Sequence, residues 1–328
     1  MPCRGDHRLG RVSPRGERGA SVAGTPSQAL VTLAARYVRH APGTLGKSAL
    51  TTHWLNARLR ERPRRRVVRV RSGGLFAVDT RDLIQRYLYL FGTWEPHLTA
   101  WLRRRLRPGD GFVDVGANIG VFSVLAAQLV GDEGHVVAIE ASPALHRRLV
   151  GHARLNGLPN VRALNAAVSD RRRTLHFVLA SSRNTGANSI VPYDGPAESG
   201  FEAEARPLPE LLDPAELAGA RVIKIDVEGA EGGVVRGLAP VLGDLRPDAE
   251  ICVEVTPERM ALLGDSADDL LAVMRNAGFH VYRLANDYAP GSYPAALRGE
   301  PGVPVRWRGP VVEESDLVFS RVDAETLP

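Results

Sequence analysis

The chain is 328 residues long, with 44% hydrophobic residues, 24% charged residues and a net charge of +5. That balance is ordinary for a folded globular protein and excludes disorder of the whole chain. Two cysteines, Cys3 and Cys252, exclude a disulfide framework and a cysteine-built zinc site, and no apolar run reaches the roughly 18–20 residues that span a bilayer.

The charge is unevenly spread. Residues 1–70 carry 15 Lys+Arg against 3 Asp+Glu, a net of +12, which leaves −7 for the remainder. A basic arm of this kind suits nucleic acid or an anionic surface. No aromatic is interleaved with the Arg65–Arg66 cluster, as stacking platforms for bases would require, so a solvated arm is the better reading and a nucleic-acid partner is not expected. Arginine is the default cation here, since Lys47 and Lys224 are the two lysines among 42 Lys+Arg. The N-terminus has charge but no apolar stretch of the kind that directs secretion, so a cytoplasmic location is expected.

Residues 1–30 are rich in Gly, Pro, Ser and Arg and read as disordered, and residues 1–60 as a basic extension, largely disordered or weakly helical. A β-hairpin turning at Gly73–Gly74 follows, then a helical stretch from Thr80 to Arg105 broken near Gly92 and Pro96; together these make a lead-in over 61–107. From residue 108 to 325 strands and helices alternate. Strands are expected at 111–115, 135–139, 161–168, 222–226, 251–255, 279–284 and 316–320, with helices at 119–130, 143–156, 229–238 and 267–277. This is an α/β domain with a mostly parallel sheet, helices on both faces and right-handed crossovers. No helix fits between the last two strands, so the last strand is expected to run antiparallel beside its neighbour.

Three motifs sit at the carboxyl ends of these strands, where open α/β sheets bind ligands. The first is Asp114-Val-Gly116-Ala117-Asn118-Ile-Gly120, between a strand and a helix. Gly116 permits a tight turn, missing Cβ atoms leave room for a ligand against the backbone, and the helix start offers free N–H groups. The loop lacks the middle glycine of the dinucleotide fingerprint and has no phosphate-binding lysine, which disfavours a nicotinamide dehydrogenase. Asp114 repels phosphate and suits an ammonium. An amino-acid-bearing nucleoside, S-adenosylmethionine, fits that combination. The second motif is Glu140, an acid placed to hold the ribose hydroxyls of an adenosine; Ser142 and Pro143 beside it read as a helix cap and first turn. The third is Lys224-Ile-Asp226-Val-Glu228, followed by Glu231. Period two puts Lys224, Asp226 and Glu228 on one side while the strand lasts, and they are the candidate catalytic residues. Asp226 also faces the cofactor, and Lys224 shifts the carboxylates or holds the acceptor oxygen. His97 and His176 are rival bases.

These stretches together resemble the FkbM family of class I S-adenosylmethionine-dependent methyltransferases. The match lies in FVDVGANIGVFS at 112–123, AIEASP at 138–143, NAAVS at 165–169 and IKIDVEGAE at 223–231, within roughly residues 75–285. The resemblance implies a Rossmann-like sheet of seven strands with the last antiparallel, and O-methylation of a sugar or natural-product hydroxyl, as in secondary metabolism. It implies cofactor contacts from Asp114, Gly116, Asn118, Gly120 and Glu140, and Ala117, Ala141, Ser142 and Ala167 beside them are expected to complete the cofactor site. Thr93-Trp-Glu95-Pro96 resembles the family's lead-in and points Glu95 at the site. The uncharged polar stretch with Asn184, Asn188 and Ser189 reads as a substrate-facing insertion. Asp226 and Glu228 are two hard ligands without a third, so no metal is expected. The expected partner is a small hydroxylated acceptor, with the oligomeric state open. A nucleic-acid methyltransferase and a non-catalytic scaffold keeping the fold are the competing readings.

Overall fold

The computed structural model describes residues 28–179, 188–189 and 199–327. Residues 1–27, and with them most of the segment expected to be disordered, lie outside the described residues. Gln28–His40 is a helix, and residues 47–61 form a second helical stretch. Their apolar faces, with Val31, Ala35, Val38, Leu55 and Leu59, are buried in the main core.

The hairpin forms as expected, with β1 (Arg65–Arg69) antiparallel to β2 (Leu75–Asp79). Two helices follow, Leu83–Leu90 and Pro96–Arg105, separated where Gly92 takes φ 75° and Pro96 restarts the chain. Arginines of this region grip backbone carbonyls. Arg39 donates to Leu88 O and Tyr89 O at 2.6 and 2.7 Å, Arg71 to Phe91 O at 2.8 Å, and Arg86 to Thr80 O and Arg81 O at 2.9 and 2.8 Å. Arg39 of the basic segment, like Arg71 and Arg86 beyond it, therefore serves the ends of helices and strands, where carbonyls lack partners.

The central sheet is built from β3 (Gly111–Val115), β4 (His135–Ile139), β5 (Val161–Leu164), β10 (Ala220–Ile225), β11 (Glu250–Val255), β12 (His280–Leu284), β13 (Val305–Arg306) and β14 (Ser315–Ser320). Their order is β13-β12-β14-β11-β10-β3-β4-β5. The run from β5 to β11 is parallel, and β14 inserts antiparallel between β11 and β12. The antiparallel last strand is thus where the connectivity placed it. The sheet has eight strands rather than seven, because the Pro/Gly-rich return to β14 adds the two-residue edge strand β13.

The strand expected over 161–168 is broken. Asn165 and Ala166 leave the central sheet, and β6 (Ala167–Val168) joins a second sheet with β7 (Arg173–Leu179), β8 (Asn188–Ser189) and β9 (Ser199–Arg206), in the order β6-β9-β7-β8. The stretch expected as a loop insertion thus includes strands pairing Phe177 with Phe201 across β7 and β9.

Alternation sorts the central strands into two cores. Phe112, Val222, Cys252, Val318 and Tyr282 face the N-terminal helices on one side, and Val113, Ile223, Ile251, Leu317 and Val281 face the other. The first face carries the functional residues. Register sets Asp114 beside Lys224, Lys224 beside Cys252, and Glu254 beside Asp316.

Candidate active site

A cavity of about 290 Å³ opens at the carboxyl ends of β3, β4, β10 and β11. Glu95, Gly116, Asn118, Glu140, Ala141, Ala167, Asp226 and Glu228, all expected at the site, line it. Asp114, Ala117, Gly120, Ser142 and Lys224 sit behind that lining. Asn184 lies outside the described residues; Asn188 and Ser189 are placed as β8, paired with Leu179 and Val178. Both histidine rivals are elsewhere. His97 accepts from Gly302 N–H at 2.9 Å, and exposed His176 pairs with Glu202 on the outer sheet.

The half built by β3 and β4 is held by backbone. Glu140 Oε2 accepts from Asn118 N–H and Oε1 from Ser142 N–H, both at 2.8 Å, so this carboxylate is not left free but ties the two loops together. Each oxygen retains a second acceptor site. Burial pushes the Glu140 carboxyl up to about 7, against those two amides. Ser142 caps the helix Pro143–Leu155, accepting from Leu145 N–H. Asn165 Nδ2 donates to Glu140 O and Ala141 O at 2.8 and 2.9 Å. The glycines are required by the protein itself and not by space for a ligand. At Gly116 (φ 80°) a Cβ would collide with Asp226 O, and at Gly120 (φ 83°) it would stand 3.2 Å from Leu149.

The other half is built from carboxylates of separate segments. Lys224, 4% exposed, donates to Asp226 Oδ2 at 2.8 Å and lies 5.2 Å over the Phe122 ring. Burial opposes its charge, yet Asp226, Asp114 and Glu95 hold the ammonium well above its ordinary range. Burial likewise raises Asp226, but Lys224, a hydrogen bond with Glu254 and then Arg259 bring it below the usual carboxylate range. Asp114 accepts from Ser123 Oγ at 2.6 Å, while its Oδ1 is buried without a hydrogen-bond partner. Tyr288 OH donates to Glu254 Oε1, and Asn286 Nδ2 to Asp316 Oδ2, both at 2.8 Å. Burial, then neighbouring carboxylates, pushes Glu95 and Glu254 well above the usual range and Asp316 up to about 6. The expected alternation ends at Ile225. The chain then turns, and Glu228, at φ 58°, forms an ion pair with Arg259. Glu231 accepts from Gly229 N–H at 2.9 Å and closes this loop from within.

Among the described residues three non-glycine positions have positive φ: Glu95, Asn118 and Glu228. All three line the cavity. Such conformations cost on the order of 1–3 kcal/mol each and gather at functional sites. Sequence reasoning missed Glu254, Tyr288, Arg259 and the stacked pair Phe177–Phe201, whose rings lie 4.8 Å apart and parallel within 1°. For Glu254 the signal was present: a lone acid at the end of an apolar strand.

A family model described as the methyltransferase FkbM domain matches residues 114–281. A curated relative from Ignicoccus hospitalis, a protein-L-isoaspartate O-methyltransferase, is 30% identical over 160 residues, spanning 44% of this chain and 67% of that protein. A wheat (Triticum aestivum) relative of the same name is 30% identical over 175 residues, spanning 52% and 71%. Among solved structures, a SAM-dependent O-methyltransferase from Thermotoga maritima superposes with a TM-score of 0.38 at 13% identity, covering 79% of each chain.

Proposed function

Since the chain belongs to the FkbM methyltransferase family, and so transfers methyl groups from S-adenosylmethionine, we propose that it methylates a hydroxyl of a small, uncharged acceptor such as a sugar or natural-product intermediate. The observation that carries this reading is the ionised Asp226 carboxylate on the cavity wall, tied to Lys224 and flanked by further acids.

The residues present fit the cofactor. Glu140 keeps one acceptor site on each oxygen for a ribose diol, and Ala141, Ala166 and Ala167 leave flat, small walls for an adenine. Asn118 and the Asp114–Gly120 turn hold the loop beside it, and the acids Glu95, Asp226 and Glu254 suit a ligand carrying a sulfonium and an ammonium. When bound, the cofactor supplies an electrophilic methyl group. The protein's task is to hold the acceptor oxygen in line with it, and positioning of that kind is worth about 7–11 kcal/mol. Asp226 sets the negative charge of the wall that the acceptor hydroxyl faces. Lys224 keeps Asp226 ionised, and Arg259 holds Glu228 at the rim. Phe177 and Phe201 offer an apolar face on which a sugar or aromatic ring can lie.

A carboxylate acceptor fits poorly. It would meet the Asp226 carboxylate, held in its charged form by Lys224, and like charges in a site of low polarity repel strongly. Neutral hydroxyls find acceptors there instead. For the same reason a nucleic-acid polyanion is disfavoured.

The test is calorimetric titration with S-adenosylmethionine, its demethylated product and NAD, followed by a screen with methyl-labelled cofactor. The expected result is micromolar binding of the first two alone, with label entering hydroxylated small molecules. Label entering isoaspartyl peptide or RNA, and no polyol or phenol, overturns the acceptor class.

A further inference from the structure

We propose that Glu254, at the carboxyl end of β11, takes the proton from the acceptor hydroxyl, acting as one unit with Asp226. The inference rests on the O-methylation reading above.

Glu254 lines the cavity and is hydrogen-bonded to Asp226, while Tyr288 OH holds its Oε1 at 2.8 Å. The two carboxylates are differently furnished. Asp226 has an ammonium 2.8 Å away, so a proton delivered there must compete with Lys224. Glu254 has no such ion pair among the described residues. Around it lie Asp226 at the end of β10, Asp316 on β14, Glu95 ahead of the helix Pro96–Arg105 and Tyr288 after β12, while Lys224 and Arg259, the latter in the helix Pro257–Leu262, face Asp226. The groups around Glu254 are thus acids and a phenol. Burial and the nearby carboxylates hold Glu254 well above the usual carboxylate range, toward that of a competent base. Two adjoining carboxylates of unlike surroundings share a proton, and they titrate as a pair.

In the step itself the acceptor O–H bond breaks and its hydrogen passes to a Glu254 carboxylate oxygen. The oxygen's electron pair forms the new bond to the methyl carbon, and the electrons of the old carbon–sulfur bond stay on sulfur. Asp226 remains ionised throughout beside Lys224. The proton leaves Glu254 for water at the cavity mouth.

A positive ligand next to the pair favours release of the shared proton, and that can be measured before any acceptor is known. The experiment titrates the full chain with S-adenosylmethionine at pH 8, above the value at which Glu140 titrates, in buffers of unlike ionisation enthalpy. The expected result is release of a substantial fraction of one proton per cofactor bound. It is abolished in Glu254→Gln, retained in Glu254→Asp, and smaller with the demethylated product, which lacks the sulfonium charge. Binding of the cofactor with equal proton release in wild type and Glu254→Gln, with none in wild type, or with release abolished by Glu95→Gln alone, overturns the inference and leaves the methyltransferase reading intact. Absence of cofactor binding in wild type removes both. With an acceptor in hand, Glu254→Gln lowers kcat by about 10²–10⁴-fold and removes the rising limb of the pH profile, with KM little changed; an unchanged profile overturns the assignment.

Discussion

The two halves of the cavity are made in different ways. The half at β3 and β4 is closed by short-range backbone bonds. Glu140 joins Asn118 to Ser142, and Ser142 caps the next helix. The half at β10, β11 and β14 is closed by charge. Lys224, Asp226, Glu254, Asp316 and Glu95 come from segments up to 221 residues apart in the chain; strand order brings the first four together, and the start of the helix Pro96–Arg105 adds Glu95. The first half has its polar groups paired locally. The second is poised, because its carboxylates outnumber their cations and respond to whatever charge enters.

Substitutions can break this contrast. The largest effect is expected at Lys224→Met, which strands several buried acids around Asp226 and lowers unfolding free energy by about 3–5 kcal/mol. Urea denaturation at pH 7 measures it. Lys224 is held above its ordinary value and contributes at every pH below that value; Asp226, held below its own, contributes above about pH 4 and loses its share on acidification. The gap between wild type and variant therefore narrows below about pH 4.

Gly116→Ala strikes the seam between the halves. Its Cβ meets the Asp226 carbonyl at φ 80°, so strain and a displaced strand end cost about 2–4 kcal/mol. A drop below 1 kcal/mol in the same denaturation would show that the seam yields.

Glu140→Gln leaves the second half untouched. It weakens cofactor binding by about 10–100-fold, the usual loss of one charged hydrogen-bond partner. Because burial raises this carboxyl to about 7, wild-type affinity strengthens as pH rises through 7, and the variant's does not. The same shift makes a stabilising contribution below the ordinary carboxylate range that is lost as pH rises through about 7. Cofactor-free protein thus loses thermal stability between pH 5 and 8, and Glu140→Gln flattens that decline.

Ser142→Ala gives the smallest effect. It removes one helix cap, lowers stability by about 1 kcal/mol and leaves proton release unchanged.

The same contrast explains what could be read from the residues. Asp114 through Gly120 and Glu140 announce themselves because a tight turn needs glycine at fixed positions and a strand-end acid stands out in an apolar run. Lys224 and Asp226 were legible from period two. Glu254 carried the same strand-end signal and was passed over. Asp316 was hidden by topology. It opens a strand, and an acid at a strand's beginning faces the site only because β14 runs against its neighbours. Glu228 lines the cavity as expected but not by alternation, which stops at Ile225: a left-handed turn sets it there, paired with Arg259. The second sheet escaped notice for another reason: β7 and β9 have exposed faces and mixed sequences, and they are held by each other.

The insertion of β14 between β11 and β12 has a consequence for the order in which the molecule is made. A ribosome delivers β3, β4 and β5 by residue 164, so the Glu140 bridge can close early on the growing chain. Until residues 315–320 emerge, β11 and β12 each present an unpaired edge, and Asp316 is missing from its place beside Glu254. Chain order therefore delivers the β3–β4 half of the cavity well before the half at β10, β11 and β14, and the interval between the two is when the bare strands are most exposed to mispairing.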